Sequence, residues 1–175
     1  MIISFDLDGV LFVDANTFET ELPLRYPLTR IYPDRLRKGT VYLINELKSR
    51  GFDVWVYTSS YRSELYIRTL FMHYRITFDQ IINAVRHNQD IQENSKLLLP
   101  SKLPNRYHIS LHIDDEEYVV KTGQIYGFNV LRISDPDPLW AEKIIEEAER
   151  IRENEARISK SESGSVSEDF SESVC

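Results

Sequence analysis

The chain has 175 residues, of which 42% are apolar and 28% are charged, and its formal net charge is −7. This length and composition fit one globular α/β domain. The only cysteine is Cys175, which excludes an intrachain disulfide framework, and the mild acidity argues against a broad nucleic-acid-binding face.

The first half of the chain predicts two buried strands connected through a helix. Residues 2–5 form an apolar run that stops at an acidic pair, and residues 52–57 are β-branched and aromatic. Between them, residues 36–50 carry apolar side chains at helical spacing, and Gly51 stands where a helix C-cap belongs. Residues 11–35 contain three prolines, which predict an irregular insert or small mini-cap.

The second half of the chain alternates helices and strands in the same way. The sequence predicts helices over 63–74 and 118–125, strands over 81–82, 108–113 and 128–133, and an amphipathic helix from 139 or 140 onward. Strands alternating with helical crossovers predict a doubly wound, Rossmann-like parallel sheet of five strands. We therefore expect a single α/β domain over 1–158 and, because residues 159–175 are rich in serine and acidic side chains, a disordered tail.

Polar residues follow three of the predicted strands at the point where each strand ends. In open α/β sheets the ligand crevice lies beyond the carboxyl ends of the strands, so we expect these side chains to meet in one site. Four carboxylates in one crevice repel one another unless a cation lies among them, and all-oxygen ligands suit Mg²⁺. The residues concerned are Asp6 and Asp8, Thr58 and Ser59, and Asp114 and Asp115.

These residues carry a resemblance to a known family. The run 6–11 (DLDGVL) after the first strand, Thr58 after the second, a lysine before the fourth strand and Asp114-Asp115 at its end resemble, in order, the four motifs of the haloacid dehalogenase superfamily. The resemblance spans residues 1–135. It implies a Mg²⁺-dependent phosphomonoester hydrolase that acts through an aspartyl-phosphate, and the absence of a large insertion indicates a capless or minimally capped member.

The resemblance also implies a role for each motif residue. Asp6 would be the nucleophile and a metal ligand, and Asp8 the general acid and base, with its main-chain carbonyl on the metal. Thr58 would bind the phosphoryl oxygens, while Asp114 and Asp115 would complete the metal site. Two further residues just after the second motif, Ser59 and Arg62, are predicted to contact the substrate.

The third motif leaves two lysines open. Lys96 and Lys102 both precede the fourth strand, and we favour Lys102 because it lies nearer to the strand and is followed closely by Pro104. None of the four histidines shows a metal-ligand spacing, so we interpret them as structural or surface residues, with His112 a strand residue near the site.

Other functions fit parts of the same pattern. The main alternative is a non-catalytic regulatory or binding module that keeps the fold and metal site, although the presence of Asp8 favours catalysis. A response-regulator receiver domain is disfavoured because its acidic pair comes early in the chain and its phospho-acceptor aspartate in the middle. The sequence predicts a cytoplasmic location, no membrane span and a phosphorylated substrate of undetermined class, and it does not indicate an oligomeric state.

Overall fold

A computed structural model describes residues 1–93 and 95–165 of the chain. Its five strands form one sheet in the order β3-β2-β1-β4-β5, and every pair of neighbours is parallel. This confirms the predicted doubly wound α/β fold. The strands are β1 (Ile2–Phe5), β2 (Asp53–Tyr57), β3 (Gln80–Ile82), β4 (Leu111–Asp114) and β5 (Val130–Arg132).

Helices connect the strands, and their apolar faces cover the sheet. In α2 the buried residues Leu43, Ile44 and Leu47 recur at helical spacing, as the sequence predicted, and Gly51 follows the helix with φ +80°. Ser63 caps α3, where its side chain accepts a hydrogen bond from the Tyr66 N–H. The helices are α1 (Leu28–Ile31), α2 (Thr40–Ser49), α3 (Glu64–His73), α4 (Ala84–His87), α5 (Glu117–Tyr126) and α6 (Trp140–Ser165).

The fourth strand begins later than the sequence suggested. The predicted strand over 108–113 is observed as Leu111–Asp114, because Pro104–Tyr107 form a 3₁₀ turn and His108 has φ +55°. A left-handed residue cannot continue a strand. The apolar pattern before Leu111 belongs instead to this turn and to the residues that follow it, among which Ile109 is buried.

The last helix reaches further than predicted. Helix α6 packs against α2 and ends at Ser165, so residues 159–165 are helical although we predicted disorder from 159. Earlier in the helix, i,i+3 and i,i+4 ion pairs such as Arg152–Glu149 connect neighbouring turns. Residues 166–175, the rest of the predicted tail, lie outside the described residues.

The insert 11–35 has no extensive regular structure. It contains the single-turn helix α1 and a cis peptide bond between Tyr26 and Pro27, while Leu11 and Phe12 are buried in the main core. Single antiparallel bridges link Phe12 to Leu36 and Thr20 to Arg37. A mini-cap role for this insert stays a prediction. Among the described residues, no helix has both the length and the apolar content needed to cross a bilayer.

Candidate active site

The three central strands bring the predicted motif residues to one edge of the sheet. Asp6 follows β1, Thr58 follows β2, and Asp114 is the last residue of β4. Strand β1 lies between the other two, with Phe5 in register with Val56 and with Ile113, so the three strand ends are adjacent. The Asp6 main-chain N–H donates to the Ile113 carbonyl at 2.9 Å, which fixes Asp6 beside β4.

A buried lysine joins two of the carboxylates. Lys102 Nζ lies 2.7 Å from Asp6 Oδ2 and 2.6 Å from Asp114 Oδ2, and all three side chains are buried. The other oxygen of Asp6, Oδ1, accepts the Leu7 N–H at 2.7 Å. Both oxygens of Asp6 are therefore held in fixed positions. Lys96, the other lysine that the sequence left open, is exposed.

The charges of this cluster stabilise one another. Burial alone would lower the pKa of Lys102, but the neighbouring Asp6 and Asp114 carboxylates raise it above its ordinary value. Burial would likewise raise the pKa of Asp114, yet the hydrogen bond from His112 and the positive charge of Lys102 lower it to about 2. Lysine and aspartate are consequently both charged at neutral pH.

Three carboxylates lie close enough to share a cation. One oxygen from each of Asp6, Asp114 and Asp115 can be chosen so that all three lie within 4.8 Å of one another. Burial raises the pKa of Asp115, and the negative charges of Asp114 and Asp6 raise it further. This mutual repulsion is what a bound divalent cation would relieve, and the all-oxygen donor set fits Mg²⁺. Asp8 does not belong to this carboxylate group.

Gly9 allows the first motif to approach Asp115. It has φ +80°, and a Cβ atom placed on it would lie 2.3 Å from Asp115 Oδ2 and 2.4 Å from its carboxyl carbon. The position therefore requires glycine for its backbone conformation and again for the close contact with a carboxylate of the site.

We expect Gly9→Ala to destabilise the protein more than Gly51→Ala does. Both glycines have φ +80°, but nothing lies within 4 Å of a Cβ at Gly51, so that variant measures left-handed strain alone, about 1–2 kcal/mol. Gly9→Ala must also displace Asp115, and it should weaken Mg²⁺ binding at least ten-fold while Gly51→Ala leaves it unchanged. Urea unfolding and calorimetric titration with Mg²⁺ measure the two effects. Equal Mg²⁺ affinity in the two variants would contradict the assignment of Asp115 to the metal site.

The hydroxyl residues after β2 differ in their surroundings. Thr58 is buried, and its Oγ1 accepts the Ser60 N–H at 3.1 Å. Ser59, predicted to contact the substrate, is exposed at the same strand end. Thr58 is therefore buried at the strand end beside Asp6, whereas Ser59 is open to solvent.

Asp8 is paired with a residue that the sequence also singled out. Arg62 Nη1 lies 2.7 Å from Asp8 Oδ2, and Arg62 Nη2 lies 3.0 Å from Asp34 Oδ1. Tyr66 donates its hydroxyl to Asp34 Oδ2 at 2.7 Å, and the Arg62 guanidinium lies over the Phe12 ring at 5.2 Å. Arg62 thus links the first motif to the insert. Sequence reasoning missed Asp34, because no local pattern marks it.

A buried histidine contacts one of the carboxylates of the site. His112 is fully buried, with its Nδ1 2.8 Å from Ser4 Oγ and its Nε2 2.9 Å from Asp114 Oδ2. The sequence interpretation placed His112 near the site without giving it these contacts. A polar pair at alternate positions of an apolar strand, His112 and Asp114, is the signal that could have identified it.

We expect His112→Ala to lower the free energy of unfolding by about 1–3 kcal/mol, because it leaves buried oxygens of Ser4 and Asp114 without one of their hydrogen bonds. Ser4→Ala removes one end of the same chain of hydrogen bonds. In a double-mutant cycle measured by urea denaturation, the two losses should be non-additive by at least about 0.5 kcal/mol. Strict additivity would show that the two side chains do not act through one another.

A second hydrogen-bonded pair anchors the segment that carries Lys102. The Tyr57 hydroxyl lies 2.6 Å from His87 Nδ1 and accepts the Leu103 N–H at 2.7 Å. Because Leu103 directly follows Lys102, this bond fixes the backbone from which the lysine extends. The position of the Lys102 side chain therefore depends on Tyr57 of β2 and His87 of α4, which lie outside the third motif.

Comparison with known proteins gives structural similarities only. No protein-family model matches the chain, and neither does any curated protein. Similar solved structures include a HAD-superfamily hydrolase of subfamily IA from Geobacter sulfurreducens, with 15% identity over 78% of this chain and 91% of that one and a TM-score of 0.49. An uncharacterized protein from Listeria monocytogenes serotype 4b has 17% identity over 78% and 79% of the two chains and a TM-score of 0.48.

A third similar structure is D,D-heptose 1,7-bisphosphate phosphatase from B. bronchiseptica complexed with magnesium and phosphate. It has 14% identity over 83% of this chain and 98% of that one, with a TM-score of 0.46. Identities of 14–17% and TM-scores below 0.5 carry no functional argument for this chain. The five-stranded parallel sheet of this chain is the doubly wound α/β fold that the sequence predicted.

Proposed function

We propose that this protein is a Mg²⁺-dependent phosphomonoester hydrolase in which Asp6 is the nucleophile. The observation that carries the proposal is the Asp6 carboxylate, which stands at the end of the central strand with Lys102 Nζ 2.7 Å from Oδ2 and the Leu7 N–H on Oδ1. A carboxylate held in one orientation beside a fixed positive charge is prepared to attack a phosphoryl group.

Asp6, Asp114 and Asp115 are the residues that would hold Mg²⁺, together with the main-chain carbonyl of Asp8. The donor set fits the ion because it consists of oxygen atoms and because the pKa of Asp115 is raised by its acidic neighbours. Bound Mg²⁺ supplies a positive charge that polarises the phosphoryl oxygens.

The reaction needs two displacements at phosphorus. In the first, an Asp6 oxygen forms a bond to phosphorus while the bond to the leaving oxygen breaks, and Asp8 gives that oxygen a proton. In the second, Asp8 removes a proton from water, the water oxygen attacks phosphorus, and the Asp6–phosphorus bond breaks to release phosphate. Lys102 offsets negative charge on the transferring group in both steps.

We assign substrate contacts to Thr58, Ser59 and Arg62. Thr58 lies at the end of β2 beside the Asp6 strand, and Ser59 is exposed next to it. Arg62 pairs with Asp8, so Asp8 has to leave the guanidinium before it can carry a proton. A phosphorylated substrate would draw Arg62 toward its own negative charge, which frees Asp8 for proton transfer.

The test is a panel of phosphorylated sugars, nucleotides and phosphopeptides assayed by phosphate release. We expect turnover of at least one class with Mg²⁺, none after EDTA treatment, and inhibition by Ca²⁺, whose longer bonds and higher coordination number misplace the attacking carboxylate. Undiminished turnover after EDTA treatment would contradict the metal assignment. Mg²⁺ binding without turnover of any compound would favour the non-catalytic binding module instead.

A further inference from the structure

Arg37 is a buried cation outside the candidate active site. It lies in the segment that leads into α2, and it is only 2% exposed. Its guanidinium contacts two aromatic rings, 4.9 Å from the centre of the Phe18 ring and 4.5 Å from the centre of the Trp140 ring. Nη2 donates to the main-chain carbonyl of Asp135 at 2.5 Å, whereas Nη1 is buried and has no hydrogen-bond partner.

The positive charge of Arg37 lacks a direct counterion in the described part of the chain. None of the ion pairs there includes Arg37, and the acidic side chain of Asp137 is already paired with Lys143. Burial lowers the pKa of Arg37, and Asp137 and Asp135 offset this only in part. Buried guanidinium groups in proteins are normally matched by a hydrogen-bonding anion, because an unmatched one is costly.

Arg37 is one of the residues that line a pocket of about 470 Å³. Its volume is in the range of small-molecule sites, and its walls combine flat apolar surface with charged side chains of both signs. Phe18, Pro136, Pro138 and Trp140 provide the apolar part. The charged part consists of Arg37, Lys38, Glu19 and Asp137, and Asp137 is paired with Lys143. Lys38 is itself paired with the exposed Glu19, so Arg37 is the lining cation without an ion pair among the described residues.

We propose that this Arg37 pocket binds a small organic oxyanion, a carboxylate or a phosphate monoester with a flat apolar body. An anionic oxygen would accept the hydrogen bond from Nη1, and the flat body would pack against Phe18 and Trp140. Because Nη1 is buried, a side chain of the pocket wall has to move before the ligand can reach it, and we assign this movement to the half-buried Phe18. The pocket shares no residue with the carboxylate cluster around Asp6, so this is a second site, independent of the proposed phosphatase activity.

Fluorescence of Trp140 tests the proposal. In a Trp55→Phe background Trp140 is the only tryptophan of the chain, and EDTA in the buffer keeps divalent metal from the site of Asp6. Benzoate and phenyl phosphate should change the emission saturably, with Kd values in the millimolar range or tighter, which corresponds to about −4 kcal/mol at 1 mM. Neutral benzamide and inorganic phosphate should bind at least ten-fold more weakly, because the first lacks charge and the second lacks a flat body.

Arg37→Met should raise the Kd of both oxyanions at least ten-fold, while Asp6→Asn, made in the same background, should leave it unchanged. If Arg37→Met does not fold, Phe18→Ala serves the same purpose, since it removes one wall and should weaken binding several-fold. The melting temperature of the protein with Arg37 intact gives an independent reading, because benzoate should raise it more than benzamide does. The proposal is overturned if no oxyanion binds saturably, if benzamide binds as well as benzoate, if inorganic phosphate binds as well as phenyl phosphate, or if the Arg37 and Phe18 variants bind both oxyanions normally.

Discussion

Replacing Asp6 with asparagine is expected to lower kcat by at least about 10⁴-fold on any substrate that the protein hydrolyses, because an amide is a far poorer nucleophile than a carboxylate. The fold should be kept, since an asparagine side chain has nearly the shape of aspartate and Lys102 retains its contact with Asp114 at 2.6 Å. Steady-state kinetics at saturating Mg²⁺, together with the circular dichroism spectrum, measure both expectations.

Asp53→Asn is the matched control for this substitution. Asp53 is exposed at the start of β2, at the opposite end of the strand from Thr58, so the same loss of one negative charge should leave kcat unchanged. Wild-type turnover by Asp6→Asn would rule out Asp6 as nucleophile. An equal loss in both variants would show that kcat follows net charge.

Lys102→Met is expected to lower kcat by on the order of 10²-fold or more, the usual cost of losing one preorganised electrostatic contact. The free energy of unfolding should also fall, by about 3–5 kcal/mol, because two buried carboxylates lose the cation between them. Mg²⁺ should restore part of this stability, since it would supply positive charge to the same carboxylates. Thermal melts with and without Mg²⁺ measure the effect.

The corresponding substitution at Lys96 separates the two lysines that precede β4. Lys96 is exposed, so Lys96→Met should change neither kcat nor the melting temperature appreciably. If Lys96→Met lost activity while Lys102→Met kept the wild-type kcat, our assignment of Lys102 to the third motif would be wrong. The assignment of the fold would be unaffected by that result, because this assignment depends on the order of the strands in the sheet.

The elements of the fold could be predicted because each has a local signal. The spacing of Leu43, Ile44 and Leu47 marks the buried face of α2, and the Ser63 cap marks the start of α3. The start of β4 could not be located in the same way. His108 adopts a left-handed conformation at the end of a 3₁₀ turn, and an apolar pattern does not reveal that backbone geometry.

The candidate site was predictable only where its residues follow strands. Asp6, Thr58 and Asp114 are at strand ends, and a parallel sheet brings such ends together. The position of Lys102 depends on the bond between the Leu103 N–H and the Tyr57 hydroxyl, which joins segments far apart in the chain. Asp34 reaches Arg62 from the insert, and this contact too is set by tertiary structure.

The central place of β1 in the sheet has a consequence for how the chain can be assembled. Ile3 pairs with Val54 of β2 on one side and with Leu111 of β4 on the other. Strand β1 is therefore synthesised well before β4, one of the two strands that it pairs with. During synthesis, a nascent chain that has not yet reached β4 would leave one edge of β1 unpaired, and Asp6 would lack its neighbour Asp114. Such non-local pairing slows folding and exposes an apolar strand edge in the meantime. The carboxylate cluster can therefore form only after Asp114 and Asp115 have left the ribosome, more than 100 residues after Asp6.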